Sequence, residues 1–215
     1  MNRLPAAERG VTIGDFLVPI RLGERLSSRA RHIILVVTGA LLISVAANYS
    51  VPVPGSPVPV TGQTFAVLLV GGALGFRRGL LATALYIALG FFLPVYAQHA
   101  SGISTIANVK SGQIVLGATG GYLIGFMVAA AIVGRLAELG WDRRVLGATA
   151  AMVVGNAVIY AIGLPWLAVA TGFSPDDTVA KGLVPFLLGD VIKLALAGAL
   201  FPLAWWVVGR RPGER

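Results

Sequence analysis

The feature that most constrains this chain is the recurrence of apolar runs close to 20 residues long, broken by short polar segments. At about 1.5 Å of helix rise per residue, such a run matches the roughly 30 Å hydrocarbon layer of a bilayer. Apolar residues make up 56% of the chain and charged residues 12%, against about a quarter charged in soluble domains. The expectation is an all-α integral membrane protein. Hydropathy places six transmembrane helices, at roughly 33–49, 63–76, 79–97, 114–134, 145–163 and 184–208, the second being short. The chain then divides into a basic N-terminal segment (1–32), a membrane domain (33–208) and a tail (209–215).

Six spans put both termini on one side, and the basic residues say which. Fourteen of the seventeen Lys and Arg residues fall in the N-terminal segment, at Arg77 and Arg78, at Arg135, Arg143 and Arg144, and in the tail. Lys110 and Lys181 lie in the opposite loops, and Lys193 lies within a span. An excess of Lys and Arg marks the cytoplasmic side, so both termini are expected in the cytoplasm and the protein in the cell membrane. The net charge of +8 is then a topology signal with attraction to anionic lipid, and needs no nucleic acid. Trp141, Trp205 and Trp206 fall at the inner interface, and Tyr49, Tyr96 and Trp166 at the outer one. No signal peptide is expected. The N-terminal segment reads equally as a surface-lying element or as a disordered basic tail.

Three outer segments are long. SVPVPGSPVPVTGQ (50–63) carries four prolines, each fixing φ and removing a donor, so it is stiff and extended. It is either a connector or a preordered flap. Segments 98–113 and 171–182 are polar and long enough to cover the same mouth. Elaboration on that side points to capture of something outside. Small residues recur four apart at Gly117, Gly121 and Gly125, at Gly71 and Gly75, and at Ala40 and Ser44. These stripes allow close helix approach, inside the bundle or against a partner.

Asp190 and Lys193 are three apart in the last span and share a face. Counted from Val184, Asp190 lies about 9 Å inward and Lys193 about 4–5 Å deeper. Ionisable groups at that depth usually face the bundle interior and serve function; the alternative is a self-neutralising structural pair. Asn156 and Tyr160, four apart, form a second polar stripe. Together the stripes can line a cavity for an amphipathic ligand. No cysteine is present and His32 and His99 lie far apart, so no metal or cofactor is expected. There is no P-loop, no zinc-protease or hydrolase motif, and no nucleophile partnered to Asp190 or Lys193. Catalysis is not expected.

Three blocks carry a family resemblance. PVPVTGQTFAVLLVGGALGFRRG (57–79), ATGGYLIGF (118–126) and PFLLGDVIK (185–193) occur in the order seen in the BioY proteins, the biotin-specific S components of energy-coupling factor (ECF) transporters. The resemblance spans roughly 33–208, and Ala118 departs from a usual proline. It implies the ECF S-component fold and high-affinity capture of biotin from outside. It also implies partnership with a transmembrane coupling protein and two ATP-binding subunits, met through Ala40 and Ser44. Uptake without such partners is the alternative. The implied ligand-binding set is Asp190 accepting from ureido N–H groups, Asn156 at the ureido ring, and Lys193 pairing with Asp190 or ligand. Tyr160 joins them, Tyr122 and Trp166 pack on the bicycle, Gln63 closes from the loop, and Lys110 reaches the carboxylate.

Overall fold

The structure, a computed structural model, describes residues 11–17, 27–110 and 113–208. Its described regular elements are helical apart from two short hairpins. Helix α1 (Gly14–Leu17) is a single turn. Helix α2 (Ser28–Asn48) starts at Ser27, whose hydroxyl accepts from the Ala30 amide, the usual satisfaction of a free N-terminal donor. Strands β1 (Ser50–Val51) and β2 (Val60–Thr61) pair antiparallel across the proline-rich loop. Helices α3 (Gln63–Leu74) and α4 (Phe76–Gly90) follow. Then come an antiparallel hairpin, β3 (Ala107–Lys110) with β4 (Gln113–Leu116), and the long helices α5 (Gly120–Glu138) and α6 (Val145–Thr171). Helix α7 (Pro175–Gly182) is capped by Ser174 and carries Asp176 and Asp177 in its first turn, where the helix dipole favours them. Helix α8 (Val184–Val208) ends the described chain.

Four of these helices, α2, α5, α6 and α8, are long and apolar enough to cross a membrane. They are covered outside by apolar side chains. Helix α2 exposes Ile33, Val37, Leu41 and Val45, and α8 exposes Leu188, Val191, Ile192 and Leu196. In water such a surface would aggregate; in a bilayer it is the solvated face.

The expected second and third spans come out shorter. Helix α3 has 12 residues and α4 has 15, about 18 and 22 Å of helix. The cause is local. Gly75 sits at φ +85°, a backbone setting that side chains resist, and it reverses the chain with a single residue between helices. Helix α4 stops at Gly90 rather than near 97, before the Phe91–Pro94 turn. The expected start of the fourth span near 114 is also corrected: Gln113–Leu116 is a strand, held by Ala107–Lys110, and the helix begins at Gly120.

Small residues set the interhelical contacts. A Cβ on Gly71 would lie 2.6 Å from the Ala130 carbonyl oxygen, so α3 and α5 touch backbone to backbone. Gly121 abuts Trp166 and Gly125 abuts Ile159, which places that stripe at the α5–α6 contact. Gly117 lies before the helix, its amide donating to the Ile106 carbonyl at 2.8 Å. Ala40 is 0% and Ser44 6% exposed, and Gly39 beside them faces Ala82, Val70 and Leu74. Ala40 and Ser44, expected to meet a partner, are buried within this chain, and it is the neighbouring Gly39 that faces α3 and α4.

Arginines cluster at one end of the bundle, and residues 11–17 are tied down there. Asp15 pairs with Arg78 at 2.7 Å and Arg31 at 3.3 Å. Burial opposes its ionisation, but the Thr12 amide and the Arg78 guanidinium outweigh this and hold the carboxyl below its ordinary value. Phe16 meets the edge of Trp205, whose indole N–H donates to Asp142 at 2.6 Å. The expected N-terminal segment otherwise lies largely outside the described residues, as does the 209–215 tail.

Candidate functional site

A cavity open at its mouth lies at the end opposite the arginines. Its rim comes from the two irregular regions. Pro57, Val58 and Pro59 reach over it from the β1–β2 loop, and Tyr96, Gln98 and Thr105 from the segment after α4. The proline loop is anchored: the Ser56 hydroxyl donates to the Lys181 carbonyl at 2.7 Å, tying it to α7. Gln98 and His99 both adopt positive φ, 58° and 57°. Two such residues in succession are costly without glycine, and this strain sits at the cavity mouth.

The walls are mostly aromatic and apolar, from Tyr122, Leu123 and Phe126 on α5, Ile159 and Tyr160 on α6, and Phe186 on α8. Tyr122 and Tyr160 meet edge to face at 6.5 Å, and the Tyr122 hydroxyl donates to the Gly182 carbonyl at 2.9 Å. Both rings are therefore held in one orientation. Gln63, the first residue of α3, is buried, and its amide donates to the Tyr86 hydroxyl at 2.5 Å. Tyr86 in turn packs edge-on against Tyr96, which donates to the Ile87 carbonyl at 2.7 Å. This chain links the floor of the cavity to its rim.

The polar inner end is built by α3, α6 and α8 together. Lys193 Nζ donates to Thr64 Oγ1 at 2.8 Å and to Asp190 Oδ1 at 3.5 Å. Tyr160 donates its hydroxyl to Asp190 Oδ2. Asp190 is 4% exposed, so its charge is sheltered and balanced by Lys193, as a buried carboxylate requires. Lys193, Thr64 and Tyr160 border the cavity, and Asp190 stands behind them.

The expected site residues thus divide. Gln63, Tyr122, Tyr160 and Lys193 line one cavity, and Asp190 is hydrogen-bonded to two cavity-lining groups. Trp166 is not among the lining residues; its indole N–H donates to the Gly117 carbonyl at 2.9 Å, and its ring covers Gly120 and Gly121. It fixes the entry of α5. Asn156 is not in that wall either, but borders a small separate void behind Lys193. The Lys110 side chain lies outside the described residues. Tyr96, expected at the outer interface, is buried in the cavity wall. Thr64, Gln98, Thr105 and Phe186 were not anticipated. Thr64 adjoins Gln63 in the sequence and Phe186 lies one turn before Asp190, so position relative to the polar pair was the available signal. Gln98 and Thr105 lie in the 98–113 segment, whose polarity and length pointed to the mouth as a segment and not to single residues.

Chemically, the cavity offers a neutral Asp–Lys pair at its inner end, flat apolar walls, and hydroxyl and amide groups toward the mouth. This suits a small amphipathic molecule with a rigid apolar body and a polar group at its inner end.

Comparison with known proteins adds identity to this geometry. Residues 21–210 match the model of the BioY family. The chain is 38% identical over 167 residues to the biotin transporter BioY of Thermotoga maritima, covering 74% of this chain and 86% of that one. It is 38% identical over 171 residues to the probable biotin transporter BioY of Pyrococcus horikoshii, covering 79% and 93%. The fold superimposes on the crystal structure of the S-component for biotin from an ECF-type ABC transporter. The TM-score is 0.72 and the identity 21%, over 83% of this chain and 93% of that one. With the family match spanning nearly all the described helices and the fold agreeing, the chain belongs to the BioY family.

Proposed function

We propose that this protein captures biotin from outside the cell and is the S component of an ATP-driven ECF transporter. The observation that carries the reading is the inner end of the cavity, where Lys193, Thr64, Tyr160 and Asp190 form one network beneath apolar walls. Biotin has a ureido ring with two N–H donors and a carbonyl, an apolar bicycle, and a carboxylate tail. Thr64 accepts from Lys193 and is left with its hydroxyl proton to donate to a ureido carbonyl. Tyr160, already donating to Asp190, has a lone pair for a ureido N–H. Asp190 sets the charge and orientation of both partners. Tyr122 packs on the bicycle and Gln63 closes from the loop. Lys110, near the turn of the β3–β4 hairpin, is assigned to the carboxylate.

In this reading α3 and α4 are the second and third of six transmembrane segments, and the arginine end with both termini is cytoplasmic. The cavity then opens outward. The sequence carries no P-loop motif; in this reading ATP-binding subunits supply the energy through a coupling protein. The test is uptake of labelled biotin by cells that lack their own importer. Uptake is expected only when the coupling protein and active ATP-binding subunits are co-expressed. Equal uptake by this chain alone supports a self-sufficient carrier instead.

A further inference from the structure

We infer that Asn156 is a positioning residue for Lys193, acting through one water held in the small void between them. The inference rests on the biotin-binding reading above and deepens it. Asn156 is 8% exposed, and its Oδ1 is fully enclosed with no hydrogen-bond partner in the protein. A buried acceptor left so costs about 1–3 kcal/mol, and such atoms are normally satisfied by protein or water. Oδ1 belongs to a residue bordering a void lined otherwise by Phe65, Leu68, Met152, Leu194 and Lys193. Its free volume, counted as positions for a water's centre, is about 10 Å³, room for a single water.

Lys193 borders both this void and the main cavity. Its ammonium has three donors, and two are taken, by Thr64 and Asp190. A water that accepts the third and donates to Asn156 Oδ1 satisfies both groups at once. The remaining lining residues are apolar, so no other group in the void competes for that water. The consequence is directional. Lys193 is tethered from behind, and its reach into the cavity is set by a residue that does not touch the ligand.

The test is equilibrium binding of biotin to the purified full chain and two variants, with thermal stability measured without ligand. Asn156→Leu fills the void with an apolar group and removes the acceptor; about a tenfold loss of affinity is expected, with unfolding no lower than wild type. Asn156→Ser keeps a hydroxyl and leaves space for water; affinity within about threefold of wild type is expected. Unchanged affinity in the Leu variant overturns the inference. So does an equal loss in both variants, which would make the amide itself a ligand contact. A Leu variant that loses stability along with affinity overturns it too, as a purely structural role. Absence of biotin binding in the wild type sinks the underlying reading, which separates that failure from this one.

Discussion

Replacing Asp190 with Asn changes one atom's chemistry at the centre of the site and almost nothing of its shape. The carboxylate accepts from Tyr160 on one oxygen and faces Lys193 at 3.5 Å on the other. An amide keeps an acceptor for Tyr160, but presents either a neutral oxygen or an N–H to the ammonium. A hydrogen bond to a charged group is worth about 1.5–3 kcal/mol, or about 10- to 150-fold in affinity. The contact to Lys193 is long, so the lower part of that range applies, and the expected loss of biotin affinity is about 10- to 30-fold. Breaking a fully buried ion pair costs about 3–5 kcal/mol of stability. Here Lys193 retains Thr64, and its side chain is 18% exposed, so about 1–2 kcal/mol is expected. Isothermal titration with biotin and thermal unfolding of the same preparations measure the two quantities. In the double variant with Lys193→Met, stability should recover while affinity does not. Affinity within twofold of wild type for Asp190→Asn would refute the assigned network.

Gly71→Val should lower thermal stability by about 1–3 kcal/mol or more, because its Cβ meets the Ala130 carbonyl oxygen at 2.6 Å and two helix backbones must part. Gly189→Ala, whose added Cβ meets nothing nearer than 3.9 Å, should leave unfolding unchanged in the same assay. Asp142 is buried, and desolvation pushes its carboxyl up to about 6 despite the Trp205 hydrogen bond and the Arg143 charge. Its folded value lies above the ordinary 3.8, so it favours the native state most below about pH 4 and progressively less as pH rises to about 6. The gap amounts to about 3 kcal/mol at most. Asp142→Asn, which can still accept from Trp205, should flatten that slope and unfold at a higher temperature than wild type at pH 7. Parallel slopes for the two proteins between pH 4 and 6 would contradict this.

Local chemistry in the sequence reached the site only as far as single helices allow. The three-residue spacing of Asp190 and Lys193 foretold a shared face, and the structure joins them. The bonds that complete the network, Lys193 to Thr64 and Tyr160 to Asp190, cross between helices 129 and 30 residues apart, and periodicity carries no such distance. Small-residue spacing at Ala40 and Ser44 announced a close approach without naming the neighbour; both are buried in this chain beside Gly39, which faces α3 and α4. The apolar Gln113–Leu116 run resembled the start of a span, because a short hydrophobic strand and a helix turn look alike until pairing partners are known. Trp166 had the right position to face a ligand, but the glycines of α5 drew it into the helix contact.

The central claim is that the cavity recognises biotin, and equilibrium titration of the purified protein with biotin tests it most directly. Saturable one-to-one binding is expected, weakened by Asp190→Asn as worked above. A protein that is folded by thermal melting yet shows no heat or displacement with biotin would contradict the account.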